Sequence, residues 1–294
     1  MPGLLGDETS FRTEYRTPIE KYQDSEAQLA LTRKVKPLML RRTKEEVATE
    51  LPKKTEITNI VSLGDEQTAL YEAIRATMDK KVRDAINDKG IGQSQIVFLE
   101  ALLKLRQTCC DPRLLKDGKH EKAPSAKFDY LTQDLLPTML GEGRKILIFS
   151  QFTTMLGLIE DHLKSQKISY SKLTGATRKR EEQIQRFQKG DSPVFLISLK
   201  AGGTGLNLTT ADTVIHYDPW WNPAAENQAT DRAHRMGQTK PVFVHRLICK
   251  GSIEERIQEL QKQKNDLADS LLSGSMKKVK LDEKTLGALL APLT

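Results

Sequence analysis

Ile146-Leu147-Ile148-Phe149 is a wholly apolar run, set off by Gly141-Glu142-Gly143 before it and Ser150-Gln151 after it. A run this short, with no polar alternation, is the pattern of a strand buried on both faces of a parallel sheet. Reading outward toward the C-terminus, the same punctuation recurs. The spacing predicts a helix over 153–165, a strand over 170–173, a helix over 177–188 and a strand over 194–199. A long loop, a strand over 213–217, a helix opening at Asn222 and a strand over 242–248 follow. Strand and helix taking turns argue for an α/β fold, a parallel sheet with helices on both faces. Toward the N-terminus the pattern is different. Residues 1–24 read as irregular or weakly helical, and helical spacing begins near Ser25. Thr55 to Leu63 alternates as a short strand does, and helices are predicted over about 66–87, 94–108 and 125–140. Gly90 to Gly92 interrupts the first pair, and Pro137 is expected to bend the last. A final helix is predicted from Ser252 to about Leu272, opening with the capping box Ser252-x-x-Glu255. The divisions expected are 1–120, mostly helical; 121–250, α/β; and 251–294, a helix with a basic tail.

The totals fit such a protein. The 294 residues are 38% hydrophobic and 29% charged, and 46 Lys and Arg against 39 Asp and Glu give a net charge of +7. A basic balance favours an anionic partner, most plausibly nucleic acid. Arg33, Lys34, Lys36, Arg41, Arg42 and Lys44 crowd one region, either a solvated face or a contact for phosphate. The three cysteines make no disulfide framework, and a reducing, intracellular setting is expected. No apolar run reaches the ~18 residues of a membrane span. The histidines show no metal-ligand spacing, so no metal site is expected.

In an open parallel sheet, ligands gather at the carboxyl ends of the strands. The residues there are Ser150-Gln151, Thr174-Gly175, Lys200-Ala201-Gly202-Gly203-Thr204-Gly205 and Asp218-Pro219-Trp220-Trp221-Asn222. The glycine loop lets backbone N–H groups approach an anion. It is no P-loop, because G-x-x-x-x-G-K-[S/T] occurs nowhere in the chain. It is no dinucleotide-binding loop either, because 206–212 is too short for the helix that motif needs, so a Rossmann-type oxidoreductase is rejected. Contact with a phosphate backbone through these N–H groups, Ser198 and Lys200 is the better reading. One tryptophan of the adjacent pair can pack inward while the other meets a base or groove.

The stretch 222–237 reads as one helix, with Asn222 as N-cap, Pro223 at its first position and Gly237 as its stop. Gln228, Arg232 and Arg235 would then share one face as a donor array for phosphate oxygens. A solvated helix with Asp231 paired to Arg235 remains the alternative.

The strings ILIFSQF (146–152), LTGATRKREEQIQRF (173–187), ISLKAGGTGLNLTTADTVIHYDPWWNP (197–223) and QATDRAHRMGQ (228–238) together resemble the successive helicase motifs of the Swi/Snf family. PGLLGD (2–7) and LMLRRTKEEVATELPKK (38–54) resemble that family's link between motor lobes, and GSIEERIQELQ (251–261) its bracing helix. The resemblance covers nearly the whole chain. It implies the second RecA-like lobe of a DNA-stimulated ATPase that translocates on duplex DNA, with a linker and helical protrusion over 1–120 and a brace over 251–294. It implies arginine fingers at Arg232 and Arg235, with Gln228 and Gly205 also near ATP. It implies DNA contacts at Ser150, Gln151, Thr174, Gly175, Ser198, Lys200, Gly202, Gly203 and Trp221. ATP and Mg²⁺ belong to the complete motor, with Mg²⁺ held by a first lobe expected upstream. The partners implied are double-stranded DNA, that lobe and nucleoprotein, in the nucleus or in the cytoplasm and nucleoid according to source. A non-catalytic binding platform is the alternative function.

Overall fold

The computed structural model describes residues 3–22, 24–38, 50–116, 118–201, 206–220, 222–260, 262 and 287–293. It divides into two compact units, 1–50 with 267–277 and 51–266 with 278–294. In the first, α1 (Glu8–Phe11) and α2 (Ser25–Val35) are separated by two π-helical turns. Asp7 caps α1, its Oδ1 accepting the Ser10 N–H at 2.7 Å. The basic positions Arg41, Arg42 and Lys44 lie outside the described residues.

The second unit is built on six parallel strands in the spatial order β1-β6-β5-β2-β4-β3. They are β1 (Lys54–Val61), β2 (Ile146–Ser150), β3 (Tyr170–Leu173), β4 (Val194–Ser198), β5 (Thr213–His216) and β6 (Val242–Cys249). The central strands β2, β4 and β5 are buried at every residue, as their unbroken apolar runs require. Their side chains still divide by the pleat. Ile146 and Ile148 enter a core with Leu136, Leu156 and Ile159, whereas Leu147 and Phe149 enter another with Phe187, Leu208 and Ala229. Two core layers sandwiching one sheet are the α/β, RecA-like arrangement expected.

β1 falls within the span 1–120 read as linker and protrusion, yet it is an edge strand of the main sheet, in register with β6 from Lys54↔Val242 to Val61↔Cys249. Its half-exposed alternation is what an edge position with one covered face imposes. Between β1 and β2 the chain makes a hairpin of two long helices, α3 (Asp65–Gln93) and α4 (Gln95–Cys110). Gly90, at φ +74°, breaks the helical path of α3 where the glycines predicted it. Tyr71, Met78, Val82, Phe98, Leu102 and Leu105 fill the space between these helices and meet Ile253, Ile257, Leu289 and Leu290 from the C-terminal region.

Ala126–Asp129, Tyr130–Leu135 and Leu136–Gly141 run as one helical stretch, α5, with π geometry in its middle. Pro137 has no N–H to give Gln133, and the π turns precede that gap. α6 (Thr153–Ser165) and α7 (Arg180–Lys189) complete the crossovers around β3. Residues 253–260 are helical, α9; most of the predicted helix beyond lies outside the described residues. Its capping is shifted from the expected pair: the Glu254 N–H donates to Ser252 Oγ at 3.2 Å, and Glu255 accepts from Gly251 N–H at 2.6 Å. One buried ion pair ties this start to α5. Lys127 Nζ lies 2.6 Å from Glu254, both side chains fully buried, and also donates to the Tyr217 carbonyl at 3.1 Å.

Candidate functional site

Four adjacent strands, β3, β4, β2 and β5, deliver four loops to the carboxyl edge of the sheet. The chain leaves β2 toward β3 but leaves the adjacent β5 toward β6, so the loops after these two strands diverge at a topological switch point. The Leu199 N–H donates to the Ser150 carbonyl at 3.1 Å and holds the β4 and β2 loops together. Across three strand spacings this row is about 14 Å wide.

The predicted residues take unequal places in it. Lys200 and Gly175 are exposed. A Cβ added at Gly175 would meet nothing within 4 Å, so its backbone is open to a ligand. Thr174 is half-buried, its N–H held by Thr177 Oγ1 at 2.9 Å. Ser150 and Ser198 are buried, and the Ser150 hydroxyl is committed to Asp218 Oδ1. Gln151 donates its N–H to both oxygens of Asp218 at 3.3 Å, while its side-chain Nε2 is buried with no hydrogen-bond partner. Gly202, Gly203, Gly205 and Trp221 lie outside the described residues. Asp218 is the hub of the edge. Burial pushes its carboxyl above the ordinary range, against the pull of the Arg106 guanidinium.

The expected four-turn helix is corrected. α8 spans only Pro223–Thr230, with Asn222 Oδ1 capping the Ala224 N–H at 3.0 Å. Gln228, Arg232 and Arg235 therefore do not share one helix face. Beyond Thr230 the chain tightens: Arg232 N–H bonds back to Ala229 O at 3.1 Å and Ala233 N–H to Thr230 O at 3.0 Å. Four tethers take the chain out of the helical path. Thr230 Oγ1 meets His216 Nε2 at 2.9 Å, and the Leu208 N–H donates to the Arg232 carbonyl at 2.9 Å. His234 Nε2 meets the Pro52 carbonyl at 2.8 Å, and Gln238 Nε2 donates to the Ala211 carbonyl at 2.7 Å. Pro52 and Ala211 precede β1 and β5. The turn thus runs down one face of the sheet, from the carboxyl edge toward the amino edge. Gly237 adopts φ +95° as its stop. Along this turn Arg232 is buried and Arg235 exposed; Gln228 is exposed on α8. Arginines and loop residues form two places, a face and an edge.

His216 joins them. Burial pushes its imidazole down to about 4 from 6.5. A histidine depressed by folding stabilises the fold fully above pH 6.5, and that contribution is lost as pH falls toward about 4. The gap corresponds to about 3 kcal/mol. Folding stability is expected to fall by that order between pH 7 and 4 in the native chain. A His216→Gln chain should lack that share of the slope in urea titrations at each pH, and parallel pH profiles for the two chains would sink the assignment.

Cys109, Cys249 and Glu254 bring three donor atoms within 4.8 Å, all buried. Glu254 is spent on Lys127 and on the Cys249 N–H, and burial raises the Cys249 thiol, so these groups serve the core.

The helicase conserved C-terminal domain family matches residues 126–237, and the SNF2-related domain family matches residues 1–114. The SWI2/SNF2 ATPase C-terminal domain of Sulfolobus solfataricus aligns with 82% of this chain over its whole length, at 30% identity and a TM-score of 0.64. The chain belongs to the SWI2/SNF2 family. The Sulfolobus SWI2/SNF2 ATPase core in complex with dsDNA is 34% identical and covers 100% of this chain, with a TM-score of 0.66; the chain spans 62% of that core. Among curated relatives, the uncharacterized ATP-dependent helicase MG018 of Mycoplasma genitalium is 38% identical across 92% of the chain. The CHD3-type chromatin-remodeling factor PICKLE of Arabidopsis thaliana is 34% identical across 97%. The chain spans 26% and 21% of the lengths of these two relatives.

Proposed function

We propose that this chain is the second motor lobe of a SWI2/SNF2-type ATPase that translocates on duplex DNA and remodels or displaces bound protein. The helical hairpin α3–α4 is the protrusion, and α9 begins the brace. The observation that carries the reading is the division between edge and face. Exposed donors at Gly175 and Lys200 line the carboxyl edge, suited to a phosphate backbone, while Arg232 and Arg235 sit on a separately tethered turn. The DNA-bound form of the Sulfolobus core, similar over the full chain, supports assigning the edge to duplex. A pure binding platform has no use for two arginines held away from that edge, which disfavours the alternative.

ATP is the substrate of the complete motor. Arg232 and Arg235, with Gln228 nearby, are proposed to meet its phosphates, where guanidinium charge opposes the charge developing in phosphoryl transfer. Mg²⁺ fits the described residues poorly: at the carboxyl edge Asp218 is occupied by Ser150, the Gln151 N–H and Arg106, and Glu226 by the Trp220 N–H and Arg246. Its ligands are therefore assigned to the partner lobe, which also supplies the phosphate-binding loop this sequence lacks. The purified 294 residues are expected to show no ATP turnover with or without duplex DNA, and to gain it when joined to a lobe carrying that loop. DNA-stimulated phosphate release by the chain alone, retained after repurification, would sink this assignment.

A further inference from the structure

The helical hairpin reaches into the carboxyl edge through one side chain. Arg106, on α4, is 4% exposed. Its Nη2 donates to the Pro219 carbonyl and lies 3.8 Å from Asp218 Oδ2. Its guanidinium lies 6.0 Å from the ring centroids of both Phe152 and Trp220. Those rings belong to the loops after β2 and β5, and Asp218 accepts from Ser150 and Gln151 of the β2 loop. One buried cation thus touches both loops and neutralises the carboxylate that joins them. Arg106 Nε is itself buried without a partner. A side chain placed for packing or charge alone gains nothing by stranding a donor.

We propose that Arg106 is a positioning residue: it locks the Ser150–Phe152 and Asp218–Trp220 loops into the single arrangement that meets duplex DNA. The DNA part rests on the function proposed above; the locking does not. Without the planar fork, the contact that spans the Pro219 carbonyl, Asp218 and the Phe152 ring is lost. The two loops are then free to part, and the Gln151 N–H loses its hold on Asp218.

The test uses the full chain with Arg106→Gln and Arg106→Lys. Lysine keeps the charge but not the planar fork, so both should behave alike. Hydrogen exchange at the Gln151 amide is expected to quicken at least about tenfold at equal global stability. Affinity for a short blunt DNA duplex should weaken about fivefold at every salt concentration. The slope of log affinity against log salt should stay unchanged, because Arg106 displaces no cation from DNA. Lys200→Ala, as comparison, should lower that slope by about 0.9. Unchanged Gln151 exchange in either folded variant overturns the proposal. A slope lowered by about 0.9 in the Arg106 variants overturns it as well, because Arg106 would then be a phosphate ligand. Faster exchange in a chain whose wild type binds no duplex leaves the locking intact and removes the DNA reading. If Arg106→Gln does not fold, Arg106→Lys alone decides.

Discussion

Arg235→Ala, in a motor that includes the ATP-binding lobe, should lower DNA-stimulated ATP turnover by about three orders of magnitude. Arg232→Ala should do the same. The loss should fall on turnover and leave duplex affinity near normal, because the turn bearing both arginines lies off the carboxyl edge. Lysine should rescue neither, since an ammonium cannot reproduce a two-point contact with phosphate oxygens. Arg235 is the cleaner test of the pair. It is exposed, so its truncation should cost less than about 0.5 kcal/mol of stability, whereas Arg232 is buried and its loss mixes chemistry with folding. Single-turnover hydrolysis with saturating ATP and duplex measures the effect. A loss below tenfold at Arg235 would remove it from the reaction.

Glu254→Ala should destabilise the fold by about 3–5 kcal/mol. The substitution leaves the Lys127 ammonium fully buried, with the Tyr217 carbonyl as its hydrogen-bond acceptor among the described residues, and frees the Cys249 N–H that Glu254 now accepts. Burial alone would lower the Lys127 amine; the surrounding groups, led by the Glu254 carboxylate, together outweigh it and hold the amine above its ordinary value. Lys127→Met together with Glu254→Met should recover most of the loss, because a well-packed apolar pair escapes the desolvation cost of both ions. Urea unfolding at neutral pH reads both results. A single-variant loss under about 1 kcal/mol would mean that water reaches the pair.

The central sheet was readable because its strands are buried on both faces. Val194–Ser198 and Ile146–Ser150 have no polar interruption, and the predicted limits fall within a residue or so of the observed ones. β1 was readable as a strand but not as a member of this sheet, because alternation reports a half-covered face and not which neighbour covers it. The caps Asn222 and Gly237 were both real, and joining them into one helix was the error. Local signals mark ends, but the break at Thr230 is imposed by His216, Leu208, Pro52 and Ala211, all outside the stretch 222–237 and the nearest of them 14 residues from its partner. Arg106 escaped for the same reason. It stands 112 residues from Asp218, in a helix whose periodicity places it beside the core residue Leu105. A carboxylate directly after an apolar strand was the one signal that could have prompted a search for its countercharge.

The helical hairpin is attached to the sheet at two ends, packed along its side against α9 and residues 287–293, and held at the loops by a side chain. β1 feeds it from the sheet edge, α5 returns it to the centre, and Arg106 braces it against the loops between. A limb fixed this way cannot swivel about a single joint. A displacement of its far end is passed to the row of loops by rigid contact, which makes the hairpin a lever and not a pendant.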